Sequence, residues 1–189
     1  MNDHPLRVAI IVGSTREGRF GPVVADWFTG QAKGHAGVDI DVIDLAETDL
    51  PYVLGHGTDD LDSVRARLSE ADAFVVITPE YNHSYPASLK NVIDHHFFEW
   101  RAKPVAFVSY GGLSGGLRAV EHLRAVFAEL HAVSIRDTVS FHGAGDAFHE
   151  NGDPKEPDGC NAAAASLLDQ LTWWARALRE ARTKIPYAA

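Results

Sequence analysis

From Gly13 the chain reads GSTREGRFG, and from Thr78 it reads TPEYNHSYPASLKN. The first stretch follows an apolar run and leads into a helical pattern, so it forms a turn that opens a helix. Free backbone N–H groups and the helix dipole at such a place favour a phosphate. The hydroxyls of Ser14 and Thr15 and the forked guanidinium of Arg16 add donors that suit one. The plain alternative is a glycine-containing turn with solvated arginines. Neither GxGxxG nor GxxxxGKS/T is present, which excludes the dinucleotide fingerprint and the P-loop. In the second stretch Tyr81 has an aromatic face to offer a ligand, or is a surface aromatic; Asn82 and Ser84 otherwise read as turn and cap residues. A third stretch, Ser109-Tyr110-Gly111-Gly112-Leu113-Ser114-Gly115-Gly116, offers backbone that a ligand approaches closely where no Cβ intervenes, or a flexible turn before a helix.

These stretches need a scaffold, and the hydrophobic pattern predicts one. Leu6 to Val12 is a continuous apolar run broken only by Arg7, which suits a strand covered on both faces. Phe20 to about Lys33 has helical spacing and a stop at Gly34. Val38 to Asp44 alternates as an edge strand, and Leu61, Val64, Arg65 and Leu68 predict a short helix. Ala73 to Thr78 is the clearest buried strand, ended by Pro79. Ser84 is expected to cap a helix with Leu89, Val92, Ile93, His96 and Phe97 on one face. A strand from Val105 to Ser109, a helix from Leu117 to Leu130 and a strand from Val133 to Phe141 follow. Residues 142 to 160 read as a long loop, and Asn161 to about Lys184 as a final helix. Alternating strands and helices predict one doubly wound α/β domain over residues 1–189. It is a flavodoxin-like three-layer sandwich with a five-stranded parallel sheet, order 2-1-3-4-5, and a ligand at the carboxyl ends of the strands.

GSTR and PEYNHSYPASLKNVID, in this order and spacing, make the chain similar to the NADPH-dependent FMN reductase family, which includes flavin-dependent quinone, azo-dye and chromate reductases. The likeness runs from about Leu6 to Leu130. It implies an oxidoreductase that passes a hydride from NADPH or NADH to FMN and electrons on to a small acceptor. By the same resemblance Ser14 and Arg16 hold the FMN phosphate, with Arg19 and Phe20 beside them. Pro79, Glu80, Tyr81 and Asn82 wrap the pyrimidine end and edge of the isoalloxazine, and Ser109, Tyr110, Gly111 and Gly112 lie along the flavin. Many members have Ser and Asn where this chain has Arg19 and Gly21, so Arg19 is expected to replace hydroxyl donors or to face a second phosphate. Arg118 either meets a nicotinamide-cofactor phosphate or is an ordinary exposed helix arginine. No catalytic side chain is required, because the cofactor carries the chemistry. Family members commonly form homodimers or homotetramers.

Composition narrows the remaining classes. The formal net charge of −9 opposes non-specific nucleic-acid binding. No apolar run reaches the roughly 18 residues of a membrane span. The start of the chain lacks a signal-peptide pattern, and the single cysteine, Cys160, excludes an internal disulfide, so a reducing, cytoplasmic setting is expected. The ten histidines lack metal-site spacing, and no metal is expected. Two rival readings stay open at this point: an FMN-binding electron carrier without reductase activity, and a flavin-free interaction domain on the same fold.

Overall fold

The computed structural model describes residues 4–188; Met1, Asn2, Asp3 and Ala189, part of the expected single domain, lie outside the described residues. Five strands, β1 (Leu6–Val12), β2 (Val38–Asp44), β3 (Ala73–Pro79), β4 (Pro104–Tyr110) and β5 (Val133–Phe141), form one parallel sheet in the order β2-β1-β3-β4-β5. Every residue of β3 and β4 is buried, and all of β1 except Arg7. Such continuous apolar runs are what a sheet covered on both faces requires. At one edge, β2 keeps Asp39 exposed and Asp41 half-buried between apolar neighbours.

Successive side chains of a strand point to opposite faces. Ile10, Val75, Ile77 and Val108 therefore pack with α1 (Gly21–Lys33) and the long C-terminal helix, while Ile11, Phe74, Val76 and Phe107 pack with α2 (Asp59–Glu70), α3 (Ala87–His95) and α4 (Leu117–Glu129). On the second face Lys103 is buried, and its Nζ donates to the carbonyls of Leu68 (2.8 Å) and Ser69 (2.9 Å) near the end of α2. Burial pushes its pKa down to about 8.

Register places the site. Val12 lies opposite Ile77, Thr78 opposite Ser109 and Pro79 opposite Tyr110, so the loops after β1, β3 and β4 leave the sheet side by side. Pro79 extends β3 rather than ending it at Thr78; at the last position its missing N–H interrupts little of the ladder.

Two local expectations are corrected. Ser84 does not cap α3: Pro86 is the cap residue, because Ser84 is taken up in a tight turn with Tyr81, and His96 and Phe97 lie beyond the helix. His96 is nonetheless buried, its Nδ1 2.7 Å from the Val92 carbonyl. Residues 142–160 are not one long loop. They hold a single helical turn, α5 (Ala144–Ala147), a bridge between Phe148 and Pro154, and the first residues of α6 (Pro157–Lys184). Pro157 has its φ preset for a first helical turn, and Asp158 favours the positive end of the helix dipole. No helix among the described residues is long and apolar enough to cross a membrane.

Candidate functional site

The loop after β1 is pinned at its root. Gly13 N–H donates to the Ile77 carbonyl (2.9 Å), and the Ser88 hydroxyl from α3 donates to the Gly13 carbonyl (2.6 Å). Beyond it Thr15, Arg16 and Glu17 are exposed, while Ser14 is fully buried and its Oγ has no hydrogen-bond partner. A buried hydroxyl without a close partner is uncommon in native proteins; within the fold the Tyr110 phenol faces Ser14, an interaction that works against the upward push of burial on that phenol. Gly21 opens α1 directly against Ser14: a Cβ there would stand 2.2 Å from Ser14 Oγ and 3.0 Å from the Tyr110 phenol oxygen. Only glycine fits.

Arg19 does not stand free to meet a phosphate. Its two terminal nitrogens hold Asp44 at 2.6 and 2.7 Å, one of them also reaching the Ser14 carbonyl at 2.9 Å. The hydrogen bond to Asp44 outweighs burial and raises the pKa of Arg19. The pair joins the end of the edge strand to the loop, so Arg19 shapes the turn. Phe20, half-buried, packs edge-on against Tyr110 (6.0 Å) and Phe148 (5.4 Å).

After β3, Tyr81 and Ser84 exchange backbone hydrogen bonds at 2.8 and 3.0 Å across Asn82 (φ 48°) and His83 (φ 72°). Two consecutive left-handed residues make the mirror-image two-residue turn of tight hairpins. Asn adopts that conformation readily; His does so less often. The turn leaves Asn82 exposed at the tip and sets the Tyr81 ring 5.7 Å from the Arg16 guanidinium.

The Glu80 side chain, expected at the edge of the flavin, is engaged elsewhere. Its Oε1 accepts from Arg118 Nη1 (3.0 Å), and its Oε2 accepts from the Arg118 backbone N–H (3.2 Å) and from the Ser114 hydroxyl. Burial disfavours the charge, yet these hydrogen bonds win and hold the carboxyl below its ordinary pKa. Glu80 thus fastens the hairpin to the N-terminus of α4. Arg118, left open between two readings, is its partner.

The glycine-rich loop after β4 is also held from behind. Ser109 and Ser140 hydroxyls both donate to the Gly115 carbonyl (2.8 and 2.7 Å), and the Gly111 carbonyl accepts from Ala144 N–H (3.0 Å). Ser109 is therefore a pin under the loop; its hydroxyl is not directed to a ligand. At Gly116 (φ 87°) a Cβ would meet Ser109 Cβ at 2.6 Å and Tyr110 N at 2.9 Å. Tyr110 is buried, and desolvation pushes its phenol up to about 12, so it stays a neutral hydroxyl beside Ser14 and Gly21.

The structure thus brings Ser14, Gly21 and Tyr110 together and sets Arg16 beside Tyr81. Sequence reasoning missed Asp44 and Ser114, whose partners lie 25 and 34 residues away. No spacing rule could have paired them; a carboxylate at the carboxyl end of the edge strand was the one hint for Asp44.

The family model described as NADPH-dependent FMN reductase matches residues 6–146. A NAD(P)H-dependent FMN reductase of Schizosaccharomyces pombe is 36% identical over 58% of this chain and 60% of its own length. A NAD(P)H:quinone oxidoreductase of Solanum tuberosum is 34% identical over 68% of this chain and 72% of its own. Among solved structures, a flavoenzyme NAD(P)H:acceptor oxidoreductase from Paracoccus denitrificans superposes with a TM-score of 0.73 at 22% identity, covering 91% of this chain and 98% of that one.

Proposed function

The chain belongs to the NADPH-dependent FMN reductase family, flavin-dependent oxidoreductases driven by NAD(P)H, and from that premise we propose how its own residues serve the reaction. When bound, FMN takes a hydride from NADPH or NADH and passes electrons to a small acceptor such as a flavin, quinone or azo compound. The observation that carries the residue assignment is the buried, unpaired Ser14 Oγ at the mouth of a helix N-terminus, with Arg16 exposed two residues on. That donor set fits a phosphate, and Ser14 and Arg16 hold it. Pro79, Tyr81 and Asn82 wrap the ring from one side, with the Tyr81 face as a wall; Gly111 and Gly112 lie along it from the other. Glu80, Arg19, Phe20, Ser109 and Tyr110 act behind this lining by fixing loop shape. No side chain serves as nucleophile, since orientation and polarisation of the cofactor suffice.

Donor and acceptor use one open pocket in turn. Tyr52, Val53 and Leu54 are exposed on a loop that Asn91 and His95 hold at Pro51 against α3, and Phe98 is exposed just past that helix. Exposed apolar side chains of this size favour a homodimer or homotetramer. The single cysteine suits the cytoplasm.

The absorption spectrum of FMN-loaded protein, before and after NADPH is added without oxygen, tests the reading. Yellow colour that bleaches is expected. Colour that persists would make the chain an electron carrier, and failure to take up flavin would leave an interaction domain.

A further inference from the structure

Phe141 lies opposite Tyr110, so the turn after β5 leaves the sheet beside the glycine-rich loop after β4. Three successive residues of that turn take three successive carbonyls of the loop. Ala144 N–H donates to the Gly111 carbonyl (3.0 Å), Gly143 N–H to the Gly112 carbonyl (2.9 Å) and His142 Nδ1 to the Leu113 carbonyl (3.1 Å). A carbonyl oxygen only accepts, so Nδ1 of His142 carries the hydrogen. The His142 ring also lies over Gly115 (φ 61°), where a Cβ would stand 2.8 Å from its Cδ2 and Nε2. In a trans peptide the C=O and the N–H of the next residue point opposite ways, and the described residues have no cis bond. The N–H groups of Gly112, Leu113 and Ser114 therefore point away from the β5 turn, and among the described residues none of them meets a backbone acceptor. The strands β3 and β1 lie on the opposite side of β4 from β5, and their loops form the rest of the proposed site.

We propose that His142 is a positioning residue for the flavin: with Gly143 and Ala144 it sets the glycine-rich loop so that the N–H groups of Gly112, Leu113 and Ser114 face the polar edge of the ring. The proposal rests on the reading above, that Gly111 and Gly112 lie along the flavin. Reduction of FMN adds two electrons, and the negative charge that develops sits on the nitrogen and oxygen atoms of the pyrimidine edge. Donors fixed in advance stabilise that charge without having to turn toward it as it appears. They hold reduced FMN more tightly than oxidised FMN, and this difference raises the midpoint potential. The donors of Gly143 and Ala144 belong to the backbone, whereas the contact to Leu113 depends on the residue type at position 142. The peptide between Leu113 and Ser114 has no other hydrogen bond among the described residues. Without His142 Nδ1 that peptide is free to rotate and the Ser114 N–H turns with it, while Gly112 and Leu113 keep their anchors.

The test compares wild type, His142→Asn and His142→Leu. Titration of apoprotein gives the dissociation constant of oxidised FMN, and anaerobic equilibration with a reference dye gives the midpoint potential of bound FMN. The position is exposed, so both variants should fold. The Asn amide places a donor where Nδ1 of histidine stands, and Leu has none. In His142→Leu the affinity for reduced FMN should fall about tenfold more than that for oxidised FMN, which lowers the potential of a two-electron couple by about 30 mV. His142→Asn should restore the wild-type potential. A wild-type potential in His142→Leu overturns the assignment, even where its affinity for oxidised FMN falls, because an equal loss of both forms marks a structural role. An equal drop in both variants also overturns it, since the effect then comes from the ring lying on Gly115. Wild-type apoprotein that takes up no FMN overturns the reading underneath, and this assignment with it.

Discussion

Replacing Glu80 with Gln asks how firmly the hairpin is fastened to α4. The carboxylate accepts three hydrogen bonds, two on Oε2 and one on Oε1, and its side chain is 9% exposed. A Gln amide has one acceptor oxygen and one donor group, so one carboxylate position must become an NH2. With the NH2 in place of Oε2, it would face the backbone N–H of Arg118, which cannot turn away. With the NH2 in place of Oε1, it faces the Arg118 guanidinium, which is 42% exposed and swings to water. The second arrangement wins: one charge-assisted bond is lost and the other two become neutral. Losing one bond to a charged group and weakening two others amounts to about 2 to 3 kcal/mol, the low end for a broken ion pair because water reaches Arg118.

Urea denaturation of the FMN-free proteins at pH 7 reads that difference directly. Acid adds a second check. The folded-state pKa of Glu80 lies below the ordinary 4.5, so the ionised group stabilises the fold above that value, and the contribution disappears as pH falls through the folded pKa. Glu80→Gln has no such contribution to lose, so the two stability curves should converge in acid. A gap under about 0.5 kcal/mol at pH 7, the scatter of ordinary surface substitutions, would refute the fastening role. A gap that stays constant into acid would refute its electrostatic origin.

Arg16→Ala should weaken FMN binding by about 1.5 to 3 kcal/mol, read by titrating apoprotein; an unchanged dissociation constant returns Arg16 to the solvated surface. Tyr81→Phe keeps the aromatic wall and should slow single-turnover reduction by NADPH less than about tenfold, with FMN saturating, whereas a hundredfold loss would make the hydroxyl catalytic. Gly116→Ala forces a Cβ to 2.6 Å from Ser109 Cβ at φ 87°. It should lower stability by about 2 to 4 kcal/mol, while Gly112→Ala, which meets nothing within 4 Å, should cost little in the same thermal melts. For Lys103, side-chain NMR should give a midpoint near 8, not 10.5; between those values the unfolded chain holds a proton that the folded one has released, so this group alone makes stability rise with pH across that window.

The strands and their order were legible because burial on both faces leaves unbroken apolar runs, as at Ala73 to Thr78. The adjacency of the loops after β1, β3 and β4 followed from the winding. What stayed hidden has two physical sources. Ser84 has the chemistry of a helix cap, and only the positive φ of Asn82 and His83 shows that it closes a hairpin instead. Pro157 and Asp158 are sound helix openers, but the surrounding Gly, Asp and Pro masked them. The side chains of Glu80 and Arg19 are engaged by Arg118 and Asp44, 38 and 25 residues away, and the Ser109 hydroxyl by the Gly115 carbonyl six residues on, none of which a motif announces. A sequence motif identifies which loops matter, whereas the division between lining and support depends on partners that spacing does not reveal.

The sheet separates two hydrophobic layers so completely that neighbours along a strand belong to different ones, Val75 with α1 and α6, Val76 with α2, α3 and α4. A trimmed methyl at Val75 and one at Val76 should therefore add in free energy almost as if they were on distant parts of the molecule, despite a shared peptide bond. Each layer is free to change its side-chain volumes by substitution without renegotiating the other. The strand ends that carry the cleft are clamped from both sides, so drift in one layer leaves their spacing in the keeping of the opposite layer.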